Sequence, residues 1–175
     1  MGYRGMPHNN LKYERVFFPG VDPRSVLTGY IFCELIEIEQ GYIEDTKRVI
    51  LFRELRNGSF RFWRTVQSLD PSDLHKEEHS CECDGSQSLF NSVYGRMDPR
   101  FKKLLHCIRW CGMNLEVVEF QSKKQNLTGY FQIRIKFKTQ WEADAFSPPS
   151  EFGRDVTHCK QHEEHTLGLR GIPTK

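Results

Sequence analysis

With 175 residues, the chain is long enough for one domain with its own hydrophobic core and no disulfide staples. A formal net charge of +2 excludes any argument for nucleic-acid binding from overall charge, and 13% aromatic residues belong to a folded protein rather than a disordered one. No apolar run is long enough to span a bilayer, and the opening MGYRGMPHNN has no apolar signal-peptide core. The expected location is cytoplasmic or nuclear, not secreted. The six cysteines are then expected to be thiols or metal ligands.

Taken in chain order, residues 1–26 are rich in Gly, Pro and Asn around an aromatic patch, Tyr13–Phe18, and are expected to form an N-terminal arm. The stretch 27–39, LTGYIFCELIEIE, is apolar on both alternating faces, as in a central strand. Asn57-Gly58 between two strand-like runs, 47–56 and 59–66, is a hairpin signal. An acidic connection, 70–84, is expected to open with a short helix. Further helical turns are expected at 86–94.

The stretch 97–120 carries the principal expected helix. Asp98 reads as its N-cap and Pro99 as its first residue. Phe101, Leu104, Leu105, Ile108 and Cys111 supply a 3.6-residue apolar period, and Gly112 its stop. Strands follow at 115–121 and 130–138; the second strictly alternates Phe131, Ile133, Ile135 and Phe137 with Gln132, Arg134, Lys136 and Lys138. Beyond Trp141 the composition shifts and no strong hydrophobic period follows. The expected organisation is an arm (1–26), one α+β domain (27–141) and a C-terminal tail (142–175). The domain's order is β-β-β-α-β-β: an antiparallel sheet of about five strands with one principal helix packed on it.

Two groups of residues are candidates for chemistry. His75, His79, Cys81 and Cys83 share the acidic loop, and thiolate and imidazole are good zinc ligands. Their spacing is not that of a known finger, so no cofactor is expected, with zinc at this set the alternative. His158, His162 and His165 would share a helical face. No P-loop, dinucleotide fingerprint or nucleophile elbow is present, and a non-enzyme is expected. The second group is basic: Lys102, Lys103, Arg109 and Trp110 on the expected helix, Lys123 and Lys124 in the turn, and Arg134, Lys136 and Lys138 on the last strand. Such local positive fields fit an anionic partner, lipid or nucleic acid. The acidic segments could meet a neighbour's basic face and drive self-association.

Tyr13-Glu14-Arg15-Val16-Phe17-Phe18, the run Asp98-Pro99-Arg100-Phe101-Lys102-Lys103 and the following CGMNLEVVE resemble rhabdovirus matrix proteins of the short plant-infecting kind. The lysine-rich N-terminal tail of some such proteins and a P-P-x-Y motif are absent. The resemblance implies a non-enzymatic protein that self-assembles and bridges a nucleoprotein to a membrane, with a peripheral-membrane or virion location. The alternative reading is a small zinc-stabilised nucleic-acid-binding or regulatory protein.

Overall fold

In the computed structural model, which describes residues 13–45, 47–69, 86–122 and 126–173, alternating burial threads the chain into one antiparallel sheet. Its strands are β1 (Tyr13–Phe18), β2 (Ile31–Glu44), β3 (Lys47–Arg56), β4 (Ser59–Ser68), β5 (Arg100–Trp110), β6 (Met113–Phe120), β7 (Phe131–Phe137) and β8 (Arg154–Asp155). Among the described residues three short α-helices accompany them: α1 (Ser86–Tyr94), α2 (Gln140–Ala145) and α3 (Glu164–Arg170). The strand order is β4-β3-β2-β5-β6-β7-β1-β8, eight strands rather than about five.

The largest correction concerns the principal helix, because residues 100–110 are a strand, β5, at the centre of the sheet. Phe101 and Leu105 point to one face, while His106 and Ile108 point to the other, and all four are buried. A strand covered on both faces is apolar on both, so its sequence also matches a helical period. The supposed stop is a hairpin turn instead. Trp110 pairs with Met113, and between them Cys111 and Gly112 have φ of 48° and 79°. Two consecutive left-handed residues give the two-residue turn whose twist suits a hairpin. Asn57 and Gly58, at φ 50° and 76°, turn β3 into β4 the same way.

The segments expected as arm and tail contribute to the sheet and its packing. β1 lies between β7 and β8, with Tyr13 opposite Phe137 and Phe17 opposite Ile133. That pairing joins residues more than a hundred positions apart, beyond the reach of any local pattern. α2 begins with a capping box in which the Thr139 hydroxyl accepts from Glu142 N–H and the Glu142 carboxylate accepts from Thr139 N–H.

Register assigns every strand residue to one of two faces, since directly opposed antiparallel partners project the same way. On the first face α3 packs: Leu167 joins Ile36, Ile50, Phe101, Leu105, Val118, Phe120 and Tyr130 in one core cluster. On the second face Phe17, Leu27, Ile108, Leu115, Val117, Ile133, Ile135 and Phe152 form another. α1 covers the second face further along, where Phe90 and Met97 pack on Leu51. No helix among the described residues is long and apolar enough to cross a membrane.

Two substitutions test this arrangement. Gly112→Ala should destabilise by about 1 kcal/mol or more, because a side chain is strained at this positive φ. Gly41→Ala should cost roughly 1–3 kcal/mol, because a new Cβ would lie 2.8 Å from Met97 Cβ. Urea unfolding monitored by tryptophan fluorescence measures both; a stable, helix-enriched Gly112→Ala variant would contradict the β5–β6 hairpin.

Candidate functional site

The α3 face of the sheet carries an alternation of cations and carboxylates where its apolar cluster gives way. Its composition follows from the register. Cys107 opposes Glu34 on one side and Glu116 on the other, Glu116 opposes Arg134, and Lys136 opposes Glu14. Arg56, at the end of β3, reaches back to Glu34 with Nε and Nη2 each 2.5 Å from a carboxylate oxygen. Lys136 Nζ lies 2.8 Å from Glu116 Oε1. Six adjacent strands, from β3 to β1, thus build one polar surface, held by a rigid ladder rather than by loops.

The inner part of this surface is closed by α3. Lys103 is buried at 5% exposure, with its Nζ 2.5 Å from Glu164 Oε1. Arg134 Nη2 donates to the same oxygen at 2.5 Å and to Gln132 Oε1 at 2.7 Å. Gln40 Nε2 donates to Glu164 Oε2 at 2.8 Å and to the Tyr42 hydroxyl. Gln132 in turn donates to the His162 carbonyl. The His162 ring meets the Tyr130 hydroxyl at Nδ1 and the Arg154 guanidinium at Nε2. Because Arg154 can only donate, Nε2 must accept and Nδ1 must carry the proton that His162 gives to Tyr130.

The electrostatics follow from burial and pairing. Burial disfavours ionised Glu164, but Lys103 and Arg134 outweigh it and hold the carboxyl far below its ordinary value. Burial also pushes the Lys103 ammonium down, partly offset by Glu164. Burial opposes the charge on Lys136 and on Glu116, yet their mutual attraction prevails, raising the first and lowering the second. Burial and the carboxylates of Glu116 and Glu34 push the Cys107 thiol up to about 11, so at neutral pH it is a thiol and a poor nucleophile.

The expected basic residues separate in space. Lys103, Arg109, Arg134 and Lys136 belong to the α3 face. Lys102 and Trp110 project to the other face of β5, so the single basic helical surface does not exist. Lys102 pairs with Glu39, and the Trp110 indole donates to the Thr28 carbonyl and packs on Phe152. Lys138 is exposed just after β7. Lys123 and Lys124 lie outside the described residues, as do His75, His79, Cys81 and Cys83.

Among the described residues no three His, Cys, Asp or Glu side chains converge as a metal site. The expected histidine face is absent: His162 sits in a 3-10 turn at the Tyr130 hydroxyl, His165 faces Glu44, and His158 is exposed. Glu34 was visible in the sequence only as one of a carboxylate set with Glu37 and Glu39, whereas Arg56, Glu116 and Glu164 escaped the sequence reading. Glu116, a charge on the first face of the otherwise apolar stretch 115–118, was the available signal; Glu164 had none, since its partners lie 61 and 30 residues away. A second polar cluster, on the opposite face, joins Arg24 to Asp22, Glu119 and His106, and it fastens the 3-10 turn Pro23–Ser25 to the sheet.

No protein-family model matches the chain, and no curated protein sequence matches it. Solved structures do. Two crystal structures of NE1496, one described as a hypothetical protein and one as an inorganic triphosphatase, superpose with TM-scores of 0.61 and 0.62 at 23% and 22% identity. They cover 92% and 93% of this chain and 99% and 100% of NE1496. PH1819 from Pyrococcus horikoshii OT3 matches at a TM-score of 0.52 and 13% identity, over 75% of this chain and 81% of that one. The fold is therefore shared with an inorganic triphosphatase, and the resemblance to rhabdovirus matrix proteins is overturned. The matrix-like, membrane- and nucleoprotein-bridging assembly function falls with it, as do the zinc-stabilised nucleic-acid-binding alternative and the expectation of a non-enzyme.

A pH experiment tests the triad. Glu164 ionises more readily folded than unfolded, so its contribution is complete above its ordinary value of 4.5 and is lost as pH falls through the depressed folded value. Glu164→Gln should therefore destabilise by about 3–5 kcal/mol at pH 7, since it leaves Lys103 and Arg134 buried without their carboxylate. The gap to the wild type should narrow steadily below pH 4.5 in denaturant titrations; a gap independent of pH would contradict an ionised Glu164.

Proposed function

We propose that the protein is a phosphohydrolase that binds a linear triphosphate on the α3 face of its sheet. The observation that carries this reading is the set Arg56, Lys103, Arg134 and Lys136, four cations on three strands of one face, half-buried or buried and each held in place by a carboxylate. The fold shared with an inorganic triphosphatase supports it.

The chemistry suits such a surface. Phosphoryl transfer asks little covalent work of a protein; positioning and electrostatic stabilisation supply nearly all of the catalysis. Strands β3, β5 and β7 fix the cations at separations set by the sheet, so charge need not be reorganised when negative charge builds on the phosphate oxygens. Arg134 offers a planar fork for two phosphate oxygens, whereas Lys103 and Lys136 act as point charges. Glu34 and Glu116 keep Arg56 and Lys136 extended until phosphate replaces them. In the reaction, water adds to a terminal phosphorus and the bridging P–O bond breaks. Orthophosphate and diphosphate leave, and the proton from water passes to the released phosphates.

Phosphate release from inorganic tripolyphosphate, assayed with and without added magnesium, tests the proposal directly. Lys136→Ala and Arg134→Ala should each lower kcat/KM by about 10- to 100-fold, the loss of one charge-assisted contact of roughly 1.5–3 kcal/mol. Lys102→Ala, on the other face, should leave the rate unchanged. No phosphate release by the wild type under either condition would sink the reading.

A further inference from the structure

We propose that the Glu164 carboxylate is an internal stand-in for a phosphoryl group, so that α3 and an anionic ligand compete for Lys103, Arg134 and Gln40. The inference rests on the triphosphate reading above and adds regulation of the same site.

The cradle around Glu164 is built for more than a carboxylate. Ionised Glu164 accepts hydrogen bonds and donates none, so Gln40 must turn its Nε2 toward it. Its Oε1 is then left without a partner, although Gln40 is only 1% exposed. Arg134 is similarly underused. Its Nη2 serves both Gln132 and Glu164, while its Nε, buried, has no partner. Native interiors rarely leave two such atoms unsatisfied at one point.

Shape explains the mismatch. Glu164 has two oxygens in one plane; Oε1 is shared between Lys103 and Arg134, and Oε2 is taken by Gln40. A terminal phosphoryl group has three oxygens in a pyramid. Two can lie along the Nε–Nη2 edge of Arg134 while the third meets Lys103, and a protonated oxygen can donate to Gln40 Oε1. The cradle is better matched to a phosphate monoanion or dianion than to the side chain that fills it.

α3 is seated by two contacts besides Glu164. Leu167 is fully buried in the core cluster. Gly168 lies so close to Pro99 that an added Cβ would fall 2.7 Å from Pro99 Cβ. A methyl group there must push α3 away from the sheet without altering any charge in the cradle. This provides a second way to weaken the competitor.

The test uses the full chain and inorganic tripolyphosphate. In hydrogen exchange on the wild type, ligand binding should lower protection across residues 164–170. In calorimetric titrations, Glu164→Gln and Gly168→Ala should each bind tripolyphosphate at least fivefold more tightly than the wild type. Unchanged or increased protection of α3 on binding, or equal affinities for the wild type and the variants, would overturn the competition while leaving the triphosphate reading intact. Absence of binding by all three proteins would instead overturn that reading, and the competition with it.

Discussion

A lysine cannot stay charged and alone in the interior of a β-sheet, and Lys103 faces that condition in the central strand β5. Its ammonium is held by Glu164, which Arg134 and Gln40 also engage. This contact ties the last helix to β2, β5 and β7 at once. The charged surface and the apolar cluster beneath α3 therefore depend on one another. Leu167 fills the core on the same helix that delivers Glu164, and the Glu164 carboxylate offsets the cost of burying the Lys103 charge.

The sheet uses its two faces differently. One is sealed by aromatic packing, with Phe17, Phe146 and Phe152 in edge-to-face contact and the Arg24 cluster fastening a loop over it. The other begins as a core and ends as a field of fixed charges. Pairing each cation with a carboxylate keeps the field stable without ligand, since uncompensated like charges on adjacent strands repel. The same pairing means that any phosphate must displace a carboxylate. Affinity then depends on the difference between two anions in one cradle rather than on the number of cations.

Much of the local structure was legible in the sequence. The alternation through β7 named Arg134 and Lys136 as companions, and Asn57-Gly58 marked its turn. The failure at β5 has a physical cause. Phe101, Leu104, Leu105, Ile108 and Cys111 fit a helical period because a strand buried on both faces leaves no polar alternation to betray it. Cys111-Gly112 then looked like a helix terminus because a left-handed pair serves a hairpin equally well. With a helix assumed, Lys102, Lys103, Arg109 and Trp110 merged into one surface that a strand splits in two.

The sequence by itself determined the hairpin at Asn57-Gly58, the two-faced character of β7 and the lack of any apolar stretch long enough for a membrane-spanning helix. These are properties of neighbours along the chain, where backbone geometry and side-chain period act directly. Only the tertiary structure decided that β1 enters the sheet beside β7, that β5 is a strand at all, and that Glu164 meets Lys103 and Arg134. Those pairings join distant residues, and their energies come from burial and charge compensation that exist only once the chain has closed on itself.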